Sequence, residues 1–269
     1  MKLYGIGTAK NEDDVIGDSI EHALRYCDKV IYIDNDSADR TWEVIQEKAA
    51  EHPGRVVAFD MVTAPYVEGL RSVIYNAFNS SELGPADWWM KLDADEFVHE
   101  DPRPIVDEAM AAGNDVIRAW HAQFYLTDID VAALDLGEED TSLSITERRR
   151  YYRTNWRQVH LWRNVPDAEW RDLTRSIPEQ TVRIHPRAVL NRHYQYRTPE
   201  QIAKRLAARL GKQEFPHVGS AEWKSVVRSA RRCHRWEPGS PLKVDKAFYY
   251  TLRVRQEVAL RMGWTMPGK

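Results

Sequence analysis

The chain reads as an α/β protein built on a mostly parallel sheet with crossover helices, and three observations predict that class. Short apolar runs alternate with stretches of helical periodicity through the opening third. Acidic residues follow directly on two of those runs. The run Trp88-Trp89-Met90-Lys91-Leu92 ends in Asp93-Ala94-Asp95-Glu96 before Phe97-Val98 resumes the apolar pattern. In open sheets of this kind ligands bind beyond the carboxyl ends of the strands, so the residues just after each apolar run are the ones to read for chemistry.

Residues 3–8 form the first expected strand. Its Gly5-Ile6-Gly7 pair lacks the third glycine of a dinucleotide fingerprint, since Lys10 stands there, and is read as relief of crowding at a strand end. Residues 13–26 follow as a helix with Val15, Ile16, Ile20, Ala23 and Leu24 on one face. Residues 29–33 form the second strand, which runs into the acidic loop Asp34-Asn35-Asp36-Ser37-Ala38-Asp39-Arg40-Thr41. Ser37 or Asp39 caps the helix over 41–50. A third strand spans 55–60, a third helix 70–79 and a fourth strand 88–92, so Asp34 and Asp93 both fall at strand ends and face one crevice.

Past residue 198 the pattern becomes helical and basic. Thr198 caps a helix with Pro199 in its first turn, Ile202, Leu206 and Leu210 follow at helical spacing, and Gly211 ends it. Residues 221–234 and 243–262 read as two further helices, separated by Trp236-Glu237-Pro238-Gly239-Ser240-Pro241. The expected division is an α/β domain over 1–197 and a basic helical extension over 198–269 that packs beside the sheet.

With 269 residues and 43% hydrophobic content, the chain is ample for a packed core. Its longest apolar runs fall far short of a bilayer span and its start leads into polar Lys10-Asn11-Glu12-Asp13-Asp14. No membrane span and a cytoplasmic location are therefore expected. Cys27 and Cys233 cannot build a disulfide framework, and neither neighbourhood argues for a nucleophile. The net charge of -3 hides a strong polarity: residues 1–140 hold 11 basic and 30 acidic side chains, residues 141–269 hold 27 and 11. A cation site followed by an anion-binding segment suits a metal bound to a diphosphate, although two differently charged solvated surfaces produce the same count.

Two carboxylates one residue apart hold a divalent cation well when a phosphate substrate supplies the remaining ligands, because Mg²⁺ and Mn²⁺ prefer hard oxygen donors. Acidic triplets also occur on solvated loops, but those rarely sit so tightly between apolar segments. Together with Leu3 to Thr8, with Lys10-Asn11-Glu12 and with Val30-Ile31-Tyr32-Ile33 before the acidic loop, the Lys91-Leu92-Asp93-Ala94-Asp95-Glu96-Phe97 block resembles a family 2 type glycosyltransferase of the GT-A fold. It resembles the subgroup with an Asp-x-Asp-Glu-Phe motif and a distal His-Tyr block, here His193-Tyr194-Gln195-Tyr196-Arg197. The likeness covers roughly the first 100 residues and that later segment.

The resemblance implies a nucleotide-sugar donor, a UDP- or GDP-sugar, and transfer to an acceptor hydroxyl with inversion. Asp34 and Asn35 would accept hydrogen bonds from base or ribose, and Thr8, Lys10, Asn11 and Glu12 would line the nucleotide edge. Asp93 and Asp95 would hold Mn²⁺ or Mg²⁺ against the donor diphosphate, Asp93 near the sugar or ribose and Asp95 most directly on the metal, with His193 completing the metal site. An inverting enzyme needs a general base, and the candidates are Glu179, Asp172 and Glu169, with Glu179 slightly preferred. Arginines within Arg148-Arg149-Arg150-Tyr151-Tyr152-Arg153 and at Arg157 and Arg163 are candidates for phosphate contact. Of Trp120, Trp156, Trp162 and Trp170, one or two are expected to touch ligand and the rest to pack.

Two rival readings share these features. A nucleotidyltransferase would use the same metal and nucleotide pocket, but such enzymes commonly carry a Gly-rich phosphate loop and none follows the first strand. Nucleic-acid binding or DNA modification would use Lys224, Arg228, Arg231, Arg232 and Arg235, whose spacings partly share a helix face. The acceptor is accordingly open among glycan, protein, small molecule and nucleic acid.

Overall fold

The computed structural model describes residues 1–211 and 223–245. The chain divides into two compact units, Met1–Trp120 with Arg157–Asn191, and His121–Trp156 with Arg192–Lys269. The division expected at residue 197 falls inside the second unit.

The first unit holds the predicted strand and helix alternation. Strands β1 (Leu3–Ala9), β2 (Lys29–Asp34), β3 (Val56–Met61) and β4 (Trp88–Asp93) pair in parallel in the order β3-β2-β1-β4. Helices α1 (Ile16–Ala23), α2 (Thr41–Glu51) and α3 (Ser72–Phe78) lie between them in sequence, and β5 (Glu96–Val98) and α4 (Arg103–Ala111) follow. Three long strands, β6 (Val116–Tyr125), β7 (Tyr151–Arg163) and β8 (Ile184–His193), each have residues in both units. The sheet order continues β4-β7-β6-β8-β5, with β7 antiparallel to β4 through Trp88↔Arg163 and Trp89↔Trp162.

Burial explains why these residues form this sheet. All seven β1 residues are buried, as are five of the six in β2, the pattern of strands covered on both faces. Ile6, Ile31, Ile33, Ile74, Tyr75, Trp89, Trp162 and Trp170 form one cluster, with Tyr75 and Trp89 rings 5.4 Å apart. A Cβ on Gly7 would meet Tyr32 Cε1 at 2.2 Å and the Leu92 carbonyl at 2.7 Å, so the glycine pair does relieve crowding, within the strand. Gly7→Ala is expected to cost roughly 1–3 kcal/mol through overpacking. Thermal denaturation checks this, and an unchanged melting temperature contradicts it.

Several elements differ at their ends. The first helix is shorter than the expected 13–26, because residues 13–15 form a turn in which the Glu12 carbonyl accepts from Val15 and Ile16. The third begins as a 3-10 turn, Glu68–Arg71. Of the two proposed caps on α2, Asp39 accepts the Thr41 N–H at 3.0 Å, while Ser37 accepts from Asn11 instead.

In the second unit, α5 (Asp128–Asp135) begins with a capping box on Thr127 and Asp130, and α6 (Ile145–Arg148) with one on Ser144 and Glu147. Helix α7 (Pro199–Gly211) starts at the predicted proline and buries Ile202 and Leu206 against Leu126. Of the helix expected over 221–234, the described residues 223–234 form instead 3-10 turns at Trp223–Val226 and Ala230–Arg232, which precede the two-residue strand β9 (His234–Arg235) paired with β7. The backbone there is engaged elsewhere. Arg228 N–H donates to Leu126, its carbonyl accepts from Asp128, and the Ala230 N–H is taken by the Asp128 carboxylate. The helix expected over 243–262 lies almost wholly outside the described residues. No helix among the described residues is long and apolar enough to cross a membrane.

Candidate active site at the carboxyl ends of the parallel strands

Register brings the predicted residues of three strands together. Ala9 pairs with Asp34 and Thr8 with Asp93, so the ends of β2, β1 and β4 stand side by side with their acids at one edge. The loops after β1 and β2 are latched to each other. Asn11, held at φ 54°, accepts the Ala38 N–H on its side-chain oxygen and donates its own N–H to Ser37, while Glu12 N–H reaches Thr41 Oγ1 at 2.8 Å. Lys10 Nζ lies 2.8 Å from the Asn35 carbonyl.

Asp34 is fully buried. One oxygen accepts the Ser37 N–H at 2.8 Å, and Oδ2 has no hydrogen-bond partner among the described residues. A buried carboxylate oxygen is costly to leave unsatisfied, so Oδ2 is an acceptor with capacity for one more donor. Asn35 differs, because its amide is spent on the Val62 and Ala64 carbonyls, which ties it to the loop after β3.

At the end of β4, Asp93 is flanked by two buried cations. Arg71 contacts one oxygen and Lys91 Nζ lies 3.0 Å from the other. Arg71 and Lys91 are 1% and 4% exposed, so each needs a counter-charge to be tolerated there. Burial alone raises the Asp93 carboxyl, but Lys91 and Arg71 outweigh it and hold the group below the usual carboxylate range. Glu68 completes the cluster at 3.6 Å from Arg71 and 3.7 Å from Lys91. Asp95 is buried in the turn after β4, and the adjacent Glu96 accepts from Asn191 Nδ2 at 2.9 Å. His160, 3.9 Å from Glu96, is pushed down to about 3 by burial and by Lys91, and is neutral at physiological pH.

The candidate bases sit on a loop stacked against the Arg71 segment. Gly69 N–H donates to the Leu173 carbonyl at 2.9 Å, and a Cβ on Gly69 would lie 2.4 Å from Leu173 Cα. Asp172 caps its own turn, accepting from the Thr174 N–H and hydroxyl. Glu179 Oε1 accepts from Asp172 N–H at 2.6 Å and from Arg171 N–H, whereas Oε2 has no hydrogen-bond partner among the described residues. Burial raises the Glu179 carboxyl, but those backbone donors and Arg175 hold it below its ordinary value. Glu169 is paired with Arg171 on the surface.

His193 belongs to the second unit, where its ring stands edge-on to Trp156 at 5.7 Å and its carbonyl accepts from Gln123. Trp162 and Trp170 are buried in the first core, Trp120 is covered by the Arg157 guanidinium, and Trp156 alone of the four is exposed, at 37%. The arginine run is largely structural. Arg149 is buried on Glu139 and the Arg197 carbonyl, Arg150 lies over Trp236, and Arg163 donates to the Pro85 carbonyl. The cations the sequence reading missed are Arg71 and Lys91. Lys91 shares a strand face with Asp93 and was readable by alternation, whereas Arg71 meets Asp93 only through the fold.

The chain is thus a mixed α/β protein with a parallel strand-end cluster of carboxylates and buried cations. No known family model and no curated protein matches it. Solved structures that resemble it include a mannosyltransferase from Pyrobaculum calidifontis in complex with GDP-Man and Mn²⁺, 11% identical over 96% of this chain and 80% of that one, at a TM-score of 0.44. S. aureus TarS 1-349 is 12% identical over 77% of this chain, at a TM-score of 0.40. Glucosyl-3-phosphoglycerate synthase from Mycobacterium tuberculosis is 15% identical over 61% of this chain and 57% of that one, at 0.32. The chain spans 64% and 39% of the lengths of the two TarS structures.

Proposed function

We propose that the chain is a metal-dependent glycosyltransferase of the GT-A type, moving a sugar from a nucleotide diphosphate donor to an acceptor hydroxyl. The observation that carries this reading is the register that sets Asp34, Thr8 and Asp93 side by side at adjacent parallel strand ends, with Asp95 in the turn that follows. The unsatisfied Asp34 oxygen supports it as the acceptor for a base N–H or ribose hydroxyl.

The donor set fits a hard divalent cation: Asp95 and Asp93 offer carboxylate oxygens, and Mn²⁺ or Mg²⁺ is the ion such ligands suit. When bound, the ion supplies charge neutralisation to the departing diphosphate. Arg71 and Lys91 act beside it. Both are held rigidly by Asp93 and Glu68, so their positive charge is preorganised at the strand end and needs no rearrangement as negative charge develops on the leaving group.

Glu179 is proposed as the base that takes the acceptor hydroxyl proton. Its first oxygen is fixed by two backbone N–H groups and its second is uncommitted, so the carboxylate is oriented and ionised. Asp172, spent on its own turn, is the weaker candidate. Glu179 takes the acceptor hydroxyl proton as that oxygen bonds to the anomeric carbon and the bond to the departing nucleotide diphosphate breaks on the opposite face, a single displacement that inverts configuration.

A thermal-shift screen of UDP- and GDP-sugars, with and without Mn²⁺, tests the reading. A matching donor at a hundredfold excess over its dissociation constant is expected to raise the melting temperature by roughly 5 °C, and only with the metal. Slow release of UDP or GDP would accompany it. Release of pyrophosphate from a nucleoside triphosphate would instead establish nucleotidyl transfer.

A further inference from the structure

A second site lies within the second unit, away from the strand-end acids in sequence and built from different chemistry. Arg153, Val227, Arg228, Ser229, Arg232 and Cys233 line a cleft of about 360 Å³, within the range of small-ligand sites. Arg153 projects from β7, and the other five come from the segment between the Trp223–Val226 turn and β9. That segment is fixed by the backbone bonds of Arg228 to Leu126 and Asp128, and by the β7 pairings Tyr151↔Arg235 and Tyr152↔His234.

Arg153, Arg228 and Arg232 bring three guanidinium groups to one small cleft, a local excess of positive charge over the nearby Asp128 and Asp130. Among the described residues neither Arg228 nor Arg232 has a carboxylate partner. Arg228 lies over the Tyr125 ring at 5.5 Å. Asp128 and Asp130 lie close enough to raise the Cys233 thiol, and their oxygens are committed to local donors. Asp128 is occupied by the Ala230 and Ile129 N–H groups and the Ser229 hydroxyl, and Asp130 by the Thr127 N–H and hydroxyl. Planar guanidinium forks match tetrahedral phosphoryl oxygens in bidentate fashion.

We propose that this cleft binds the phosphoryl group of a small phosphorylated molecule, through Arg153, Arg228 and Arg232. Its small volume and its single aliphatic wall, Val227, favour a small phosphomonoester over an extended polyanion, which needs a continuous groove. The site stands independently of the transferase reading.

Cys233 supplies a built-in reporter, because its thiol lines the cleft half-buried while Cys27 is buried in the first unit. Burial pushes the Cys233 thiol up, so alkylation is followed at mildly alkaline pH on the full chain. Inorganic phosphate and glycerol phosphate are expected to slow iodoacetamide alkylation of Cys233 saturably, while chloride at equal ionic strength does not. The Arg228→Gln, Arg232→Gln double variant should raise the phosphate concentration needed for protection by about tenfold or more, the loss expected for charge-assisted hydrogen bonds. Arg235→Gln, outside the cleft and paired with Glu237, should leave it unchanged, and melting temperatures of all variants confirm that they are folded. Protection by chloride, equal protection of the double variant, or no protection at all overturns the proposal. Stronger protection by a short DNA duplex than by glycerol phosphate overturns the small-molecule reading in favour of nucleic acid.

Discussion

Asp95→Ala is expected to abolish Mn²⁺-dependent donor stabilisation and to lower sugar transfer by roughly 10²–10³-fold, the scale for losing a preorganised electrostatic contact to a developing charge. The carboxylate is buried directly after β4, and the paired Asp93 already has both oxygens on Arg71 and Lys91. Asp93 therefore has little capacity to hold an ion alone. The measurement is calorimetric titration of donor with and without Mn²⁺. An unchanged metal-dependent affinity would remove Asp95 as a ligand.

Glu179→Gln is expected to leave donor affinity intact and to reduce transfer by about 10²–10⁴-fold, the usual contribution of a positioned base. The amide keeps the shape and still accepts from Asp172 N–H and Arg171 N–H through its carbonyl, so the loop should stay folded. Because the carboxyl is held below its ordinary value, the base remains ionised through neutral and mildly acidic pH. Activity is expected to be lost only as pH falls through that depressed value, below the usual carboxylate range. An acid limb near neutrality, or normal turnover of the amide variant, would assign the base elsewhere.

The parallel core was legible in sequence because its signals are local. Continuous apolar runs such as Val30 to Ile33, helical spacing such as Ile16 and Ile20, and the acids that stop β2 and β4 all act within a few residues. What escaped was set by distant partners. Arg71 meets Asp93 only after α3 returns the chain to β4, and the Asn35 amide closes on Val62 and Ala64, contacts that no periodicity encodes. The basic tail misled for the opposite reason. Its spacing suits a helix, but the Thr127↔Arg228 bridge withdraws backbone groups that a helix over 221–234 requires.

Hydrogen alone separates residue 69 from the main chain at Leu173, so the arginine-bearing turn and the Glu179 loop are meshed like gear teeth. A methyl group at that position would wedge them apart, displacing guanidinium and carboxylate together although neither had been altered.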